Sequence, residues 1–103
     1  MITAVDVIKV KENKRQRGFI LRLLETNYPH PIMDTVLVSC LIEDGAIINP
    51  DVSKSLAYLE DGEYITCNAV DLNSIRKKAV LVRLTAKGID LLEGTIDDPG
   101  VDV

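Results

Sequence analysis

The stretch 34-DTVLVSCLIEDGAIINPDVSKSLAYLEDGEYI-65 decides how this chain folds. Val36, Leu37, Cys40 and Leu41 recur at the three- and four-residue intervals that line one side of an α-helix. Glu43, Asp44 and Gly45 close that helix, since glycine takes the left-handed backbone found at many helix ends. Asn49, Pro50 and Asp51 open a second helix. Asn49 can cap free N–H groups, Pro50 suits the first helical position, and Asp51 sits at the positive end of the dipole. Val52, Leu56 and Leu59 then share one side. Glu60, Asp61 and Gly62 end the helix, and Tyr64 and Ile65 begin an extended run.

Working outward, Tyr64 to Val70 alternates as a strand does. Asp71, Leu72, Asn73 and Ser74 supply a turn, and Ala79 to Leu84 gives a second strand, rich in valine and leucine. The two strands pair as an antiparallel hairpin. Upstream, Lys11 to Asn27 reads as a helix with Phe19, Ile20, Leu23, Leu24 and Asn27 toward the core and Arg15, Arg22 and Glu25 largely outside it. Gly18 weakens that helix by about 1 kcal/mol relative to alanine. Pro29, His30 and Pro31 stop it. Met1 to Val10 fits a helix or a strand. Downstream, Thr85 caps a last helix, Ala86 to Glu93, with Ile89, Leu91 and Leu92 as its apolar residues, Gly88 as a soft point and Gly94 as its end. Thr95 to Val103 is acidic and short, which suggests a loosely held tail.

The reading is one α+β domain over residues 1–103, with 1–10 and 95–103 loosely ordered at its ends. Its architecture is a winged helix-turn-helix: helices, a two- or three-stranded β-wing and a C-terminal helix. A hydrophobic content of 47% in 103 residues supports one compact core. No apolar run is long enough to span a bilayer, and no signal peptide opens the chain. A cytoplasmic protein is the expectation.

The chemistry of catalysis is thinly represented. His30 is the only histidine, and Cys40 and Cys67, the only cysteines, lie in apolar stretches and read as small buried thiols, with a disulfide between them as the minor alternative. No nucleophile has a ready base, no glycine-rich phosphate loop occurs, and no His/Cys metal cluster can form within one chain. The carboxylates fall at helix ends and turns, where capping explains them. The expectation is a protein that is not an enzyme, with no metal and no cofactor.

Charge is uneven within a net −4. Lys9, Lys11, Lys14, Arg15, Arg17 and Arg22 crowd the first segment, and Arg76, Lys77, Lys78, Arg83 and Lys87 form a second group. Between them Lys54 is surrounded by acids. Lys14, Arg15 and Arg17 read either as solvated helix surface or as a contact with phosphate or an acidic partner. On the second central helix, Ser53, Lys54, Ala57, Tyr58 and Asp61 lie opposite the apolar side. That face either enters the major groove of double-stranded DNA or meets solvent or another subunit. In the first case Ser53, Lys54 and Tyr58 donate to phosphates or base edges, and Arg76, Lys77 and Lys78, at or just after the hairpin tip, hold phosphates beside them. A homodimer, built on the first and last helices, doubles so weak a footprint. The alternative is a protein-interaction or dimerisation module that keeps the fold and binds no DNA.

Val52-Ser53-Lys54-Ser55-Leu56, followed by Leu59, Gly62 and Ile65, resembles the recognition helix and wing entry of the winged-helix superfamily that includes bacterial metal- and drug-responsive repressors. A closer resemblance is to short winged-helix proteins of Mu-like bacteriophages and prophages. Leu41, Gly45, Asp51, Val52, Leu56, Leu59 and Gly62 resemble their central segment. Leu84-Thr85, Gly88, Asp90, Gly94 and Pro99-Gly100-Val101 resemble their ending. Asp97-Asp98 and Asp102-Val103 depart from the basic tails of that family. The resemblance covers roughly Phe19 to Val101 and implies a winged-helix fold and a phage transcriptional regulator.

Overall fold

The computed structural model describes residues 2–44, 52–72 and 77–103, and for Lys77 its backbone. The chain is mixed α+β: the described residues form four helices and a small three-stranded antiparallel sheet. Helix α1 covers Ala4–Asn27, well beyond the Lys11 start that periodicity suggests. The cause is a capping box. Thr3 Oγ1 accepts from the Asp6 N–H at 3.2 Å, and the Asp6 carboxylate accepts from the Thr3 N–H at 3.1 Å. The Thr3 N–H holds the Asp6 carboxyl below its ordinary range.

After the Pro29–Pro31 stop, the two-residue strand β1, Ile32–Met33, leads into helix α2, Asp34–Glu43. Helix α3 is Ser53–Asp61, with Val52 as an N-cap that offers no side-chain hydrogen bond. The expected opening at Asn49, Pro50 and Asp51, and the Gly45 closure of α2, lie outside the described residues. Strands β2, Ile65–Leu72, and β3, Lys77–Leu84, form the expected hairpin, each longer than the alternating stretch that announced it. Their register pairs Cys67 with Val82 and Asp71 with Lys78. Strand β1 adds to the far edge of β3 through Ile32–Val82 and Met33–Leu81, so the order is β1-β3-β2. Helix α4, Ala86–Leu92, is capped by Thr85, whose hydroxyl accepts from the Gly88 N–H at 3.1 Å, and Gly94 turns the chain away at φ +79°.

Ile20, Leu21 and Leu24 of α1, Leu37 and Leu41 of α2, and Leu56 and Leu59 of α3 meet Ile65, Val82, Leu84 and Leu91 in one core. Val36, expected on the inner stripe of α2, is nearly half exposed, while Leu37 and Leu41 carry that contact. Leu21, outside the expected stripe, is fully buried. The tail is not loose. Val101 is buried, the Asp102 N–H donates to the Lys14 carbonyl at 3.0 Å, and Arg17 Nη1 donates to the Gly100 carbonyl at 2.9 Å. Residues 2–13 are exposed throughout, so the first half of α1 stands clear of the core, in a molecule of 48 × 32 × 23 Å. Among the described residues, no helix is long and apolar enough to cross a membrane.

Candidate nucleic-acid interface

Helix α3 presents Ser53 and Lys54 at its exposed first turn, with Ala57, Glu60 and Asp61 following. Its inner side holds Ser55, whose hydroxyl donates to Gln16 Oε1 of α1 in a buried polar pair. Gln16 lies one turn before Ile20 on the inner line of α1, which is the periodic signal that could have placed it there. Glu60 turns to the sheet edge and accepts from the Cys67 N–H at 3.1 Å. Burial, with the Glu60 charge behind it, pushes the Cys67 thiol up to about 11, so at neutral pH it stays protonated. Cys40 and Cys67 are free thiols, partly rather than fully buried.

Tyr58 lies on the exposed side of α3, as its spacing suggested, and also makes a contact within the fold. The Arg17 guanidinium lies over its ring, 3.8 Å from the centroid, and its hydroxyl end runs close against Gly100. Tyr58 and Arg17 are therefore a seam joining α3, α1 and the tail. A cation over an aromatic face is worth about 0.5–2 kcal/mol, more as water is excluded. This arrangement removes Arg17 from the basic patch of α1. Lys11, Lys14 and Arg15 instead face Asp97, Asp98 and Asp102 across an open groove of about 530 Å³.

On the hairpin, Lys78 is exposed and stands opposite Asp71 in the antiparallel register, so their side chains share a face. Lys77 pairs with Leu72 through its backbone, its side chain lying outside the described part, and Arg76 lies outside the described residues. Of the six expected contact residues, Ser53, Lys54, Tyr58 and Lys78 are thus exposed, Tyr58 with Arg17 stacked on its ring. Among the described residues, no group of three or more His, Cys, Asp or Glu is placed to hold a metal.

A second polar clasp escaped the sequence reading. The Tyr64 hydroxyl donates to Asp98 Oδ2 at 2.7 Å, tying the start of β2 to the tail. That bond, chiefly, pushes Tyr64 up to about 12 from 10.0 and holds Asp98 below its ordinary value. The folded state keeps the Tyr64 proton more tightly than the unfolded chain. The stabilisation is therefore whole below pH 10.0 and fades as pH rises toward about 12. For Asp98 the sign is opposite: its contribution is present above the ordinary value of 3.8 and fades as pH falls through the lowered one. Asp98→Asn should return Tyr64 toward its ordinary value, seen as phenolate absorbance developing earlier in an alkaline titration. An unchanged titration would show that the bond does not form in solution.

No family model matches the chain, and no curated protein or solved structure matches it.

Proposed function

We propose that this chain is a winged-helix DNA-binding protein, a small cytoplasmic transcriptional regulator of the phage or prophage kind, acting as a homodimer. The observation that carries the reading is the wiring: the α2–α3 pair runs directly into the β2–β3 hairpin, and β1 pairs with β3 at the other edge. That order supports a reading in which α3 is the helix offered to a major groove and the hairpin a flanking wing. Ser53 and Lys54 touch phosphates or base edges from the first turn of α3, and Lys78, with Arg76 and Lys77 beside it in sequence, neutralises phosphates. Tyr58 supports this surface by fixing α3 to α1 through Arg17.

A second reading, a protein-interaction module that binds no DNA, is favoured by the acids beside each exposed lysine. Glu60 and Asp61 share the exposed side of α3 with Lys54, and Asp71 stands across from Lys78. A duplex titration at two salt concentrations separates the two. The regulator binds with an affinity that falls steeply with salt. Lys54→Ala or Lys78→Ala weakens binding to all sequences alike if that lysine contacts phosphate, and lowers the salt slope by about 1. Absence of binding to any duplex at low salt selects the interaction module.

A further inference from the structure

The tail is not held on α1 by its charge. Val101 is buried, Arg17 holds the Gly100 carbonyl, and the Asp102 N–H holds the Lys14 carbonyl. Asp98 serves the Tyr64 hydroxyl and the Gly100 N–H. The Asp97 and Asp102 carboxylates are left over. Among the described residues neither accepts a hydrogen bond or joins an ion pair, yet both line the groove with Lys11, Lys14 and Arg15. The place where the tail crosses α1 is equally specific. Lys11, Lys14, Arg15, Gly18 and Arg22 fall at helical intervals within one arc, and from Lys11 to Arg22 that line runs about 16 Å. Lys11, Arg15 and Arg22 are exposed, and Gly18, between them, is buried. What covers it is the Asp102 carbonyl, so close that an added β-carbon would sit 1.7 Å from the oxygen. An extended polyanion following the line of bases would meet the tail at Gly18.

We propose that this line is a second place for a phosphate backbone and that the tail guards it: duplex DNA reaches α1 only as the tail lifts. The ligand rests on the duplex-binding reading above, and the guard rests on the crossing at Gly18. The tail acts in two ways. Its backbone blocks the line, and Asp97 and Asp102 offset the field of Lys11, Lys14 and Arg15, which at physiological salt reaches about 8 Å. With the tail away, α1 presents Lys9, Lys11, Lys14, Arg15 and Arg22, with Glu12 as the acid among them. The anchors set how firmly the guard holds. The Val101 contact and the bonds to the Gly100 and Lys14 carbonyls are lost as it lifts, and phosphate contacts to the bases offset that loss. The same event reaches α3. Gly100 lies against the Tyr58 hydroxyl, one turn from Lys54, so a lifting tail also clears the exposed side of that helix.

The experiment is duplex titration of the full chain at low salt. Asp97→Asn with Asp102→Asn keeps every anchor and should bind about 10-fold tighter, with an unchanged unfolding midpoint. Glu43→Gln with Asp44→Asn makes the same change in charge at the exposed end of α2 and should gain less than about 3-fold. Gly18→Ala changes no charge, lifts the tail, and should also gain about 10-fold, with circular dichroism showing an intact fold. Lys14→Ala with Arg15→Ala should cancel either gain. A tail pair that gains no more than the α2 pair overturns the proposal. So does a gain that survives the loss of Lys14 and Arg15, or a Gly18→Ala chain that binds as the wild type does. If α3 makes no contact, the released chain still binds through Lys14 and Arg15 and Lys54→Ala changes nothing, which upholds the guard and removes the α3 reading. A released chain that binds no duplex overturns both.

Discussion

Gly88→Ala is expected to destabilise the fold by about 3 kcal/mol, although alanine is the better helix former by about 1 kcal/mol. A β-carbon at position 88 would lie 2.5 Å from the Tyr64 carbonyl oxygen and 2.5 Å from Leu84 Cδ1. Leucine can rotate away, but the carbonyl cannot. Tyr64 O already accepts the Thr85 N–H at 3.0 Å, and the Thr85 hydroxyl donates to the Glu63 carbonyl at 2.7 Å. These bonds pin the start of α4 to the turn before β2. An added methyl forces α4 outward, which breaks the Thr85 clasp and uncovers Leu91, now 1% exposed. Denaturant unfolding should show the loss as a lower midpoint with an unchanged slope. A variant within about 0.5 kcal/mol of wild type would mean that α4 does not sit so close.

That glycine also marks where reading residues one after another stops working. Local rules find elements well here: the Thr85 cap, the proline stop after α1, the hairpin and the Gly94 exit are each written in a few adjacent residues. The same rules value Gly18 and Gly88 only as weak points in helices. Their purpose is set by a backbone that arrives from far along the chain, Asp102 in one case and Tyr64 in the other. Periodicity shows which residues share a face of one helix, and it shows nothing of what crosses that face.

The candidate site divides along the same line. Lys54 and Lys78 are exposed because nothing in their own elements draws them inward. Tyr58 is exposed beside Lys54, as helix spacing suggested, but spacing gave no sign of Arg17, distant in sequence, which stacks on its ring. The acidic tail misled for a related reason. Asp97, Asp98 and Asp102 look like a solvated end until Tyr64 and the Lys14 carbonyl are brought to Asp98 and Asp102. Periodicity reads the first helix only from Lys11 and leaves Met1 to Val10 between helix and strand, although the signal for its true start is local. Thr3 and Asp6 spell a capping box at the spacing it requires, and only the β-branched residues after it argued for a strand.

Gly18→Ala should cost about 1–2 kcal/mol in the whole chain, and the sign should reverse once the tail is detached. A β-carbon at position 18 would fall 1.7 Å from the Asp102 carbonyl oxygen and 2.6 Å from its carbonyl carbon, so the tail backbone has to leave. With it go the Asp102–Lys14 and Arg17–Gly100 hydrogen bonds and the burial of Val101, which alone is worth about 1.5–3 kcal/mol. The helix recovers about 1 kcal/mol of propensity, which leaves a net loss. Val101→Asp supplies the other corner of the cycle, because a carboxylate in that apolar contact drives the tail off by itself. In that background the methyl at position 18 meets only water, and Gly18→Ala should stabilise by about 1 kcal/mol. The coupling between the two sites, about 2–3 kcal/mol, is then the contribution of the tail docked on α1, read from four denaturation curves. Additive effects would mean that the acidic tail does not lie along α1, and Lys11, Lys14 and Arg15 would then be free to meet a phosphate backbone.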